Sequence, residues 1–137
     1  MYYTSERDML NAFIKYMNLI QPDIFTSFTP FDILYLIRRM IDLDVKHEDL
    51  SPIRDVRAYS ERYIKIAGIQ YIDMREIYKR VVSGQKFENL ESIAIKTLGF
   101  GKLPMSHTSI AETWIKDYKS VIRYNLVDVL LIKRIEQ

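Results

Sequence analysis

Apolar residues recur at helical spacing near the start of the chain: Met9, Leu10, Phe13, Ile14, Met17 and Ile20 predict a helix over residues 5–20. Ser5 and Asp8 stand three apart ahead of that stripe, a capping-box arrangement in which side-chain oxygens satisfy the orphan amides of the first turn. Gln21-Pro22-Asp23 ends the helix, and Ile24-Phe25-Thr26-Ser27-Phe28 is β-branched and aromatic enough to predict a short strand. Thr29-Pro30 then turns the chain into a second helix over about 31–43, with Phe31, Leu34, Ile37 and Ile41 as its expected apolar stripe. Residues 44–58 are polar and contain Pro52, which predicts a loop. Two apolar stretches, Tyr63 to Ile66 and Ile69 to Ile72, flank Ala67-Gly68 and predict a hairpin or a bent strand pair. Helices follow over about 74–82, from the capping residue Asn89 to Lys96 with a stop at Gly99, after the capping box Ser109-x-x-Glu112, and over about 117–136. The predicted order is α-β-α-β-β-α-α-α-α, an α/β or α+β arrangement with few strands for its helices to pack on.

A length of 137 residues and an apolar content of 48% suit one domain with a single core, and no repeat or Gly/Ser-rich linker marks an internal boundary. The expected domain therefore runs over 1–137. Twenty Lys and Arg against 18 Asp and Glu leave a formal charge of +2, too small a field to argue by itself for nucleic acid or membrane. The absence of cysteine removes disulfides, thiolate metal sites and a cysteine nucleophile together. His47 and His107 are too few for a histidine-rich metal site. The longest apolar run, Ile33 to Ile37, falls far short of the roughly 20 residues of a membrane span. Met1-Tyr2-Tyr3-Thr4 lead straight into charged Glu6-Arg7-Asp8 and leave no secretory pattern, so a cytoplasmic location is expected.

Several local clusters have plain structural readings. Asp42-x-Asp44-x-x-His47-Glu48-Asp49 is rich in oxygen donors but lacks the glycine and spacing of a calcium loop, and reads as a solvated helix end. Gly99-Phe100-Gly101-Lys102 follows a helix instead of opening one, which excludes a P-loop. Lys116, Lys119 and Arg123 fall on one predicted helical face and could follow a phosphate backbone, although such stripes are more often merely solvated. Asp32 opens a helix just after a predicted strand, and Tyr124 and Asp128 stand one turn apart on the last helix. Hard oxygen ligands on rigid elements are what two-metal phosphodiester hydrolysis requires. A Tyr-x-x-x-Asp spacing alone is common in long helices and does not establish that chemistry.

Taken in order, these segments resemble the 3′–5′ exonuclease domain of family B DNA polymerases. Ser5 to Phe13 is similar to the helix before the second exonuclease motif, and Pro22-Asp23-Ile24-Phe25 through Phe31-Asp32-Ile33-Leu34-Tyr35-Leu36 resembles that motif. Ile72-Asp73-Met74 with Ile77, Asn89 to Ala94 and Leu98-Gly99 match the connecting helices, and Tyr124-Asn125-Leu126-Val127-Asp128 looks like the third motif. The resemblance implies a truncated, helix-rich RNase H-like α/β fold with a small incomplete sheet. It implies Asp32 and Asp128 as ligands of two ions, Mg2+ or Mn2+ in the family, with Tyr124 positioning the water. Phe28 and the Lys116, Lys119, Arg123 stripe are expected as weak contacts to single-stranded DNA. Two departures stand out: the family's asparagine ahead of Phe-Asp is replaced within Thr26-Ser27-Phe28-Thr29-Pro30, and the first motif, Asp-x-Glu, occurs nowhere in the chain. Met1-Tyr2-Tyr3 aligns with the end of the family's third strand, so the remaining carboxylates and the central strands are expected outside this sequence.

Four expectations follow. Asp32 and Asp128 should approach each other in the folded domain. The divalent ions should not be held tightly by this chain alone, and nuclease activity should be absent or slight. The few strands should leave a sheet edge or apolar face for the rest of a polymerase or a second copy of the chain to cover. The alternative is a non-catalytic DNA-binding or protein-interaction module on a degenerate RNase H-like scaffold.

Overall fold

The computed structural model describes residues 3–60, 63–81, 89–104 and 109–136. Two compact units make up the chain, Met1–Asp73 and Met74–Gln137.

The first unit opens with α1 (Glu6–Ile20), capped as expected by Ser5, whose hydroxyl accepts from the Asp8 amide. Its last turn closes on Gln21 in the left-handed region (φ 44°), whose N–H returns to the Met17 carbonyl. Strand β1 (Ile24–Ser27) and helix α2 (Phe31–Asp42) follow at the expected places. The segment expected as a loop instead contains a 3-10 turn, His47–Leu50, and the start of a strand, β2 (Val56–Ser60). The loop reading fails because buried Val45 and Leu50 anchor the polar stretch to the core. Val56 then has an antiparallel partner, Ile66 of β3 (Tyr63–Ile66). Strand β4 (Gln70–Asp73) does not form a hairpin with β3, since a single bridge, Ile66 to Ile69, closes the bend at Gly68. Instead β4 lies parallel to β1, with Ile24 opposite Gln70 and Ser27 opposite Asp73. Two sheets of two strands each result, β1-β4 and β2-β3.

The core of this unit is Leu10, Ile14 and Met17 of α1 packed on Ile33, Ile37 and Met40 of α2, with Val45, Leu50 and Ile66. The α2 stripe is rotated from the one expected. Ile33, Leu34, Ile37 and Met40 are buried, while Phe31 and Ile41 are exposed. Phe31 stacks on Tyr35 outside the core, with ring centroids 6.2 Å apart, so its apolar area is partly covered without entering the interior. On α1, Met9 and Ile20 are likewise exposed. Arg39 ties the two helices together by a bidentate pair with Glu6, at 2.8 and 2.7 Å.

The second unit contains α3 (Met74–Val81), α4 (Leu90–Leu98) and α5 (Ile110–Glu136). Asn89 caps α4 by accepting the Ser92 amide, and Gly99 ends it at φ 80°, a left-handed geometry that disfavours residues with a Cβ. The expected end of α3 at Ser83-Gly84 lies outside the described residues. The two helices expected after Ser109 are one element broken at Asp117, whose backbone is non-helical (φ −151°, ψ 74°). The Asp117 carboxylate caps the second segment by accepting from the Ser120 amide and hydroxyl. Leu90, Ile93 and Ala94 of α4 and Thr113, Val121 and Leu131 of α5 supply the buried positions. Among the described residues, no helix is long and apolar enough to cross a membrane.

Candidate nuclease centre

In the second unit, one face of α5 presents Tyr124 and Asp128 to the segment that follows α4. Lys102 reaches into this face from that segment. Its ammonium donates to Asp128 Oδ2 at 2.8 Å and to the Tyr124 hydroxyl at 3.2 Å, and it lies 5.2 Å from the centre of the Tyr124 ring. Both charged side chains of the pair are about three-quarters buried. Burial opposes the charge on Lys102, but the hydrogen bonds and field of Asp128 and Tyr124 outweigh it and hold its pKa above the ordinary 10.5. Lys102 is therefore a fixed cation at neutral pH. The other oxygen of Asp128, Oδ1, is buried and has no hydrogen-bond partner.

The backbone of Lys102 is set by Glu91 of α4, whose carboxylate accepts the Lys102 amide at 2.6 Å. Gly101 makes this approach possible, because a Cβ there would collide with the Glu91 carboxylate. The glycines of Gly99-Phe100-Gly101-Lys102 thus serve a helix end and a close carboxylate contact, and the lysine serves Asp128. Replacing Gly101 with alanine should push the flexible Glu91 side chain aside and free the Lys102 amide, at a cost of about 1 kcal/mol. Faster hydrogen exchange at that amide would register the change, and unchanged protection would contradict it.

Asp32 belongs to the first unit, in the first turn of α2. There a second polar cluster forms at the ends of the parallel strands. The Ser27 hydroxyl lies 2.7 Å from the Tyr71 hydroxyl and also donates to the Thr29 carbonyl. Burial raises the Tyr71 pKa, the Ser27 hydrogen bond opposes this, and the nearby negative charges of Asp73 and Asp32 raise it further. Phe28 is half-buried between β1 and α2. Of the cationic stripe expected on α5, Lys116 is held by Glu112 at 2.6 Å on the near side of the Asp117 break, while Lys119 and Arg123 lie beyond it. The acidic segment after α2 is neutralised locally by Arg39 to Asp42, Arg7 to Asp44 and Arg54 to Asp49. His107 lies outside the described residues.

Residues 1–93 match the family model for the exonuclease domain of DNA polymerase family B. The chain belongs to this family. Two relatives extend the similarity along the chain. A DNA-directed DNA polymerase of Enterobacteria phage T4 is 28% identical over 98% of this chain and 16% of its own length. A DNA polymerase of Methanocaldococcus jannaschii is 27% identical over 90% of this chain and 8% of its own. The chain thus spans about a sixth or less of these relatives. The exonuclease family implies an RNase H-like α/β fold, and a helix-rich chain with two small sheets is consistent with it. Tyr124 and Asp128 lie beyond the stretch matched by the family model and within the reach of the T4 match.

Exonuclease domains of this family use divalent ions. The unpartnered Asp128 Oδ1 is the kind of donor such an ion takes, but Lys102 already occupies Oδ2. Among the described residues, no group of three or more Asp, Glu or His side chains is close enough to hold a metal. The donor set described here does not complete a metal centre.

Proposed function

We propose that this chain supplies part of a family B DNA polymerase 3′–5′ exonuclease centre, with Asp32, Tyr124 and Asp128 as its acidic and water-positioning groups and Lys102 as an added cation. The observation that carries the reading is the Lys102–Tyr124–Asp128 constellation, in which a largely buried carboxylate of α5 keeps one oxygen without a hydrogen-bond partner beside a fixed ammonium. Lys102 is suited to neutralise a non-bridging phosphate oxygen, and the Tyr124 hydroxyl to orient a nucleophile by hydrogen bonding. In this reading the two units are parts of one truncated RNase H-like domain, acting in the cytoplasm on single-stranded DNA within a larger polymerase. Asp-x-Glu is absent from the sequence, and too few carboxylates remain to fix Mg2+ or Mn2+ firmly enough for hydrolysis.

The test is degradation of an end-labelled single strand in magnesium or manganese, with Asp128→Ala as control. No digestion above the control is expected. Robust digestion by the unaltered chain that disappears in Asp128→Ala would show that the chain completes a centre by itself, and the reading of a partial centre would fall.

A further inference from the structure

One face of α5 carries a feature that the nuclease reading leaves unused. Trp114 and Tyr118, about half exposed, pack edge to face with ring centroids 6.2 Å apart on either side of the Asp117 break. Trp114 is the single tryptophan of the chain. One turn further, Lys119 and Arg123 are exposed and form no salt bridge among the described residues, whereas Lys116 is tied to Glu112. Asp117 forms no salt bridge with this face: both its oxygens accept from Ser120 in the helix cap, although its charge is felt at Arg123. Within the segment after the break, residues 118 and 122 form one i+4 row of the helix and 119 and 123 the adjacent row, and Trp114 joins the first through its ring contact with Tyr118. Tyr118, with Trp114 against it, therefore runs beside two cations that form no salt bridge among the described residues.

We propose that this face is a platform for single-stranded nucleic acid, on which Trp114 and Tyr118 stack unpaired bases while Lys119 and Arg123 meet the neighbouring phosphates. The proposal rests on the exonuclease reading for its class of ligand, and it locates a contact surface outside the Lys102–Tyr124–Asp128 group. Stacking on aromatic faces beside a cationic track is how strands are held without base-specific hydrogen bonds. Exposed tryptophan and arginine add cation–π attraction to a base-covered surface. A duplex hides its base faces and would meet the cations alone. The exposed Ile115, Ile122 and Leu126 in the same region make protein docking the competing use of this face.

Trp114 is its own reporter. Titrating the full chain with an oligothymidylate of about twelve nucleotides should quench the tryptophan fluorescence saturably. The binding constant should fall with salt at a log–log slope of about −1.4 for two phosphate contacts on a single strand. Tyr118→Ala should weaken binding about tenfold or more, and Tyr118→Phe should restore it, as expected of stacking. Lys119→Ala with Arg123→Ala should flatten the salt dependence. Absence of saturable quenching, equal quenching by a duplex of the same length, or indifference to the Tyr118 and Lys119/Arg123 variants would overturn the proposal. So would concentration-dependent self-association that shields Trp114 without DNA, since the face would then be a protein interface. If quenching fails while Asp32 and Asp128 are shown to be neighbours, only the platform falls. If quenching holds while those two residues are far apart, the exonuclease reading falls and strand binding stands.

Discussion

Truncating Met40 to alanine will cost about 2–5 kcal/mol of stability, while the same change at the adjacent Ile41 will cost less than about 0.5 kcal/mol. Met40 is fully buried and packs with α1 residues and Leu50 of the 3-10 turn in one core cluster, so its removal leaves a void there. Ile41 is 55% exposed, and water already covers most of what alanine would lose. The pair discriminates sharply because the hydrophobic pattern alone puts Ile41, and not Met40, on the inner stripe. Equilibrium unfolding in urea, followed by far-ultraviolet circular dichroism, measures both costs. Equal costs, or a larger one at Ile41, would mean that α2 is rotated from the orientation described.

Asp128→Ala will lower the stability of the second unit by about 1–2 kcal/mol. The loss arises because Lys102 keeps its charge but loses the carboxylate that offsets its burial. The effect stays below that of a fully buried pair, since each side chain remains about one-quarter exposed. Trp114 fluorescence during denaturant unfolding reports on this unit. The pH dependence has a definite sign. Because Lys102 has a raised pKa in the folded chain, its stabilising contribution is fully present below the ordinary 10.5 and is lost as pH climbs through the raised value. The stability difference between the unaltered chain and Asp128→Ala should therefore be flat from neutral pH to about 10 and shrink above that. A difference that vanished nearer pH 7 would contradict a persistent Lys102–Asp128 pair.

Local signals in the sequence proved most informative where one residue type answers one backbone need. Ser5, Asn89 and Ser109 each cap the helix that their spacing predicts, and Gly99 ends α4 in the left-handed conformation. The break at Asp117 falls at the boundary between the two helices expected after Ser109. What periodicity could not settle is orientation. Phe31, Leu34, Ile37 and Ile41 fit a 3.6-residue stripe as well as Ile33, Leu34, Ile37 and Met40 do, and tertiary packing chose between them. Strand β2 was missed because Val56-Arg57-Ala58 is too polar to stand out until β3 pairs with it. Pairing in space decided β4 as well: its partner β1 lies 46 positions away in the Ile24–Gln70 register, whereas the sequence favours its neighbour β3.

For the candidate centre, Tyr124 and Asp128 were visible as a one-turn spacing on a helix, and Asp32 through its place in the Phe-Asp-x-x-Tyr-Leu resemblance. Lys102 was not visible. Its Gly-x-Gly-Lys context suggests a phosphate loop only to be excluded by the preceding helix, and nothing in the sequence connects it to a carboxylate 26 positions later. The available signal was the pair of glycines, because Gly101 has a close contact to make and Gly99 a positive φ to adopt.

The proposal that Asp32 and Asp128 serve one centre is tested most directly by a thiol cross-link, because the chain contains no native cysteine to interfere. Asp32→Cys combined with Asp128→Cys would be treated with a short bifunctional thiol reagent and run on a denaturing gel. Asp42→Cys with Asp128→Cys serves as the control, since residue 42 lies ten positions further along α2, about 15 Å away on an ideal helix. Efficient intramolecular cross-linking of the first pair and little of the second is the predicted result. Cross-linking of the control alone, or of neither pair in a chain that retains its unfolding transition, would contradict the assignment of both aspartates to a single exonuclease centre.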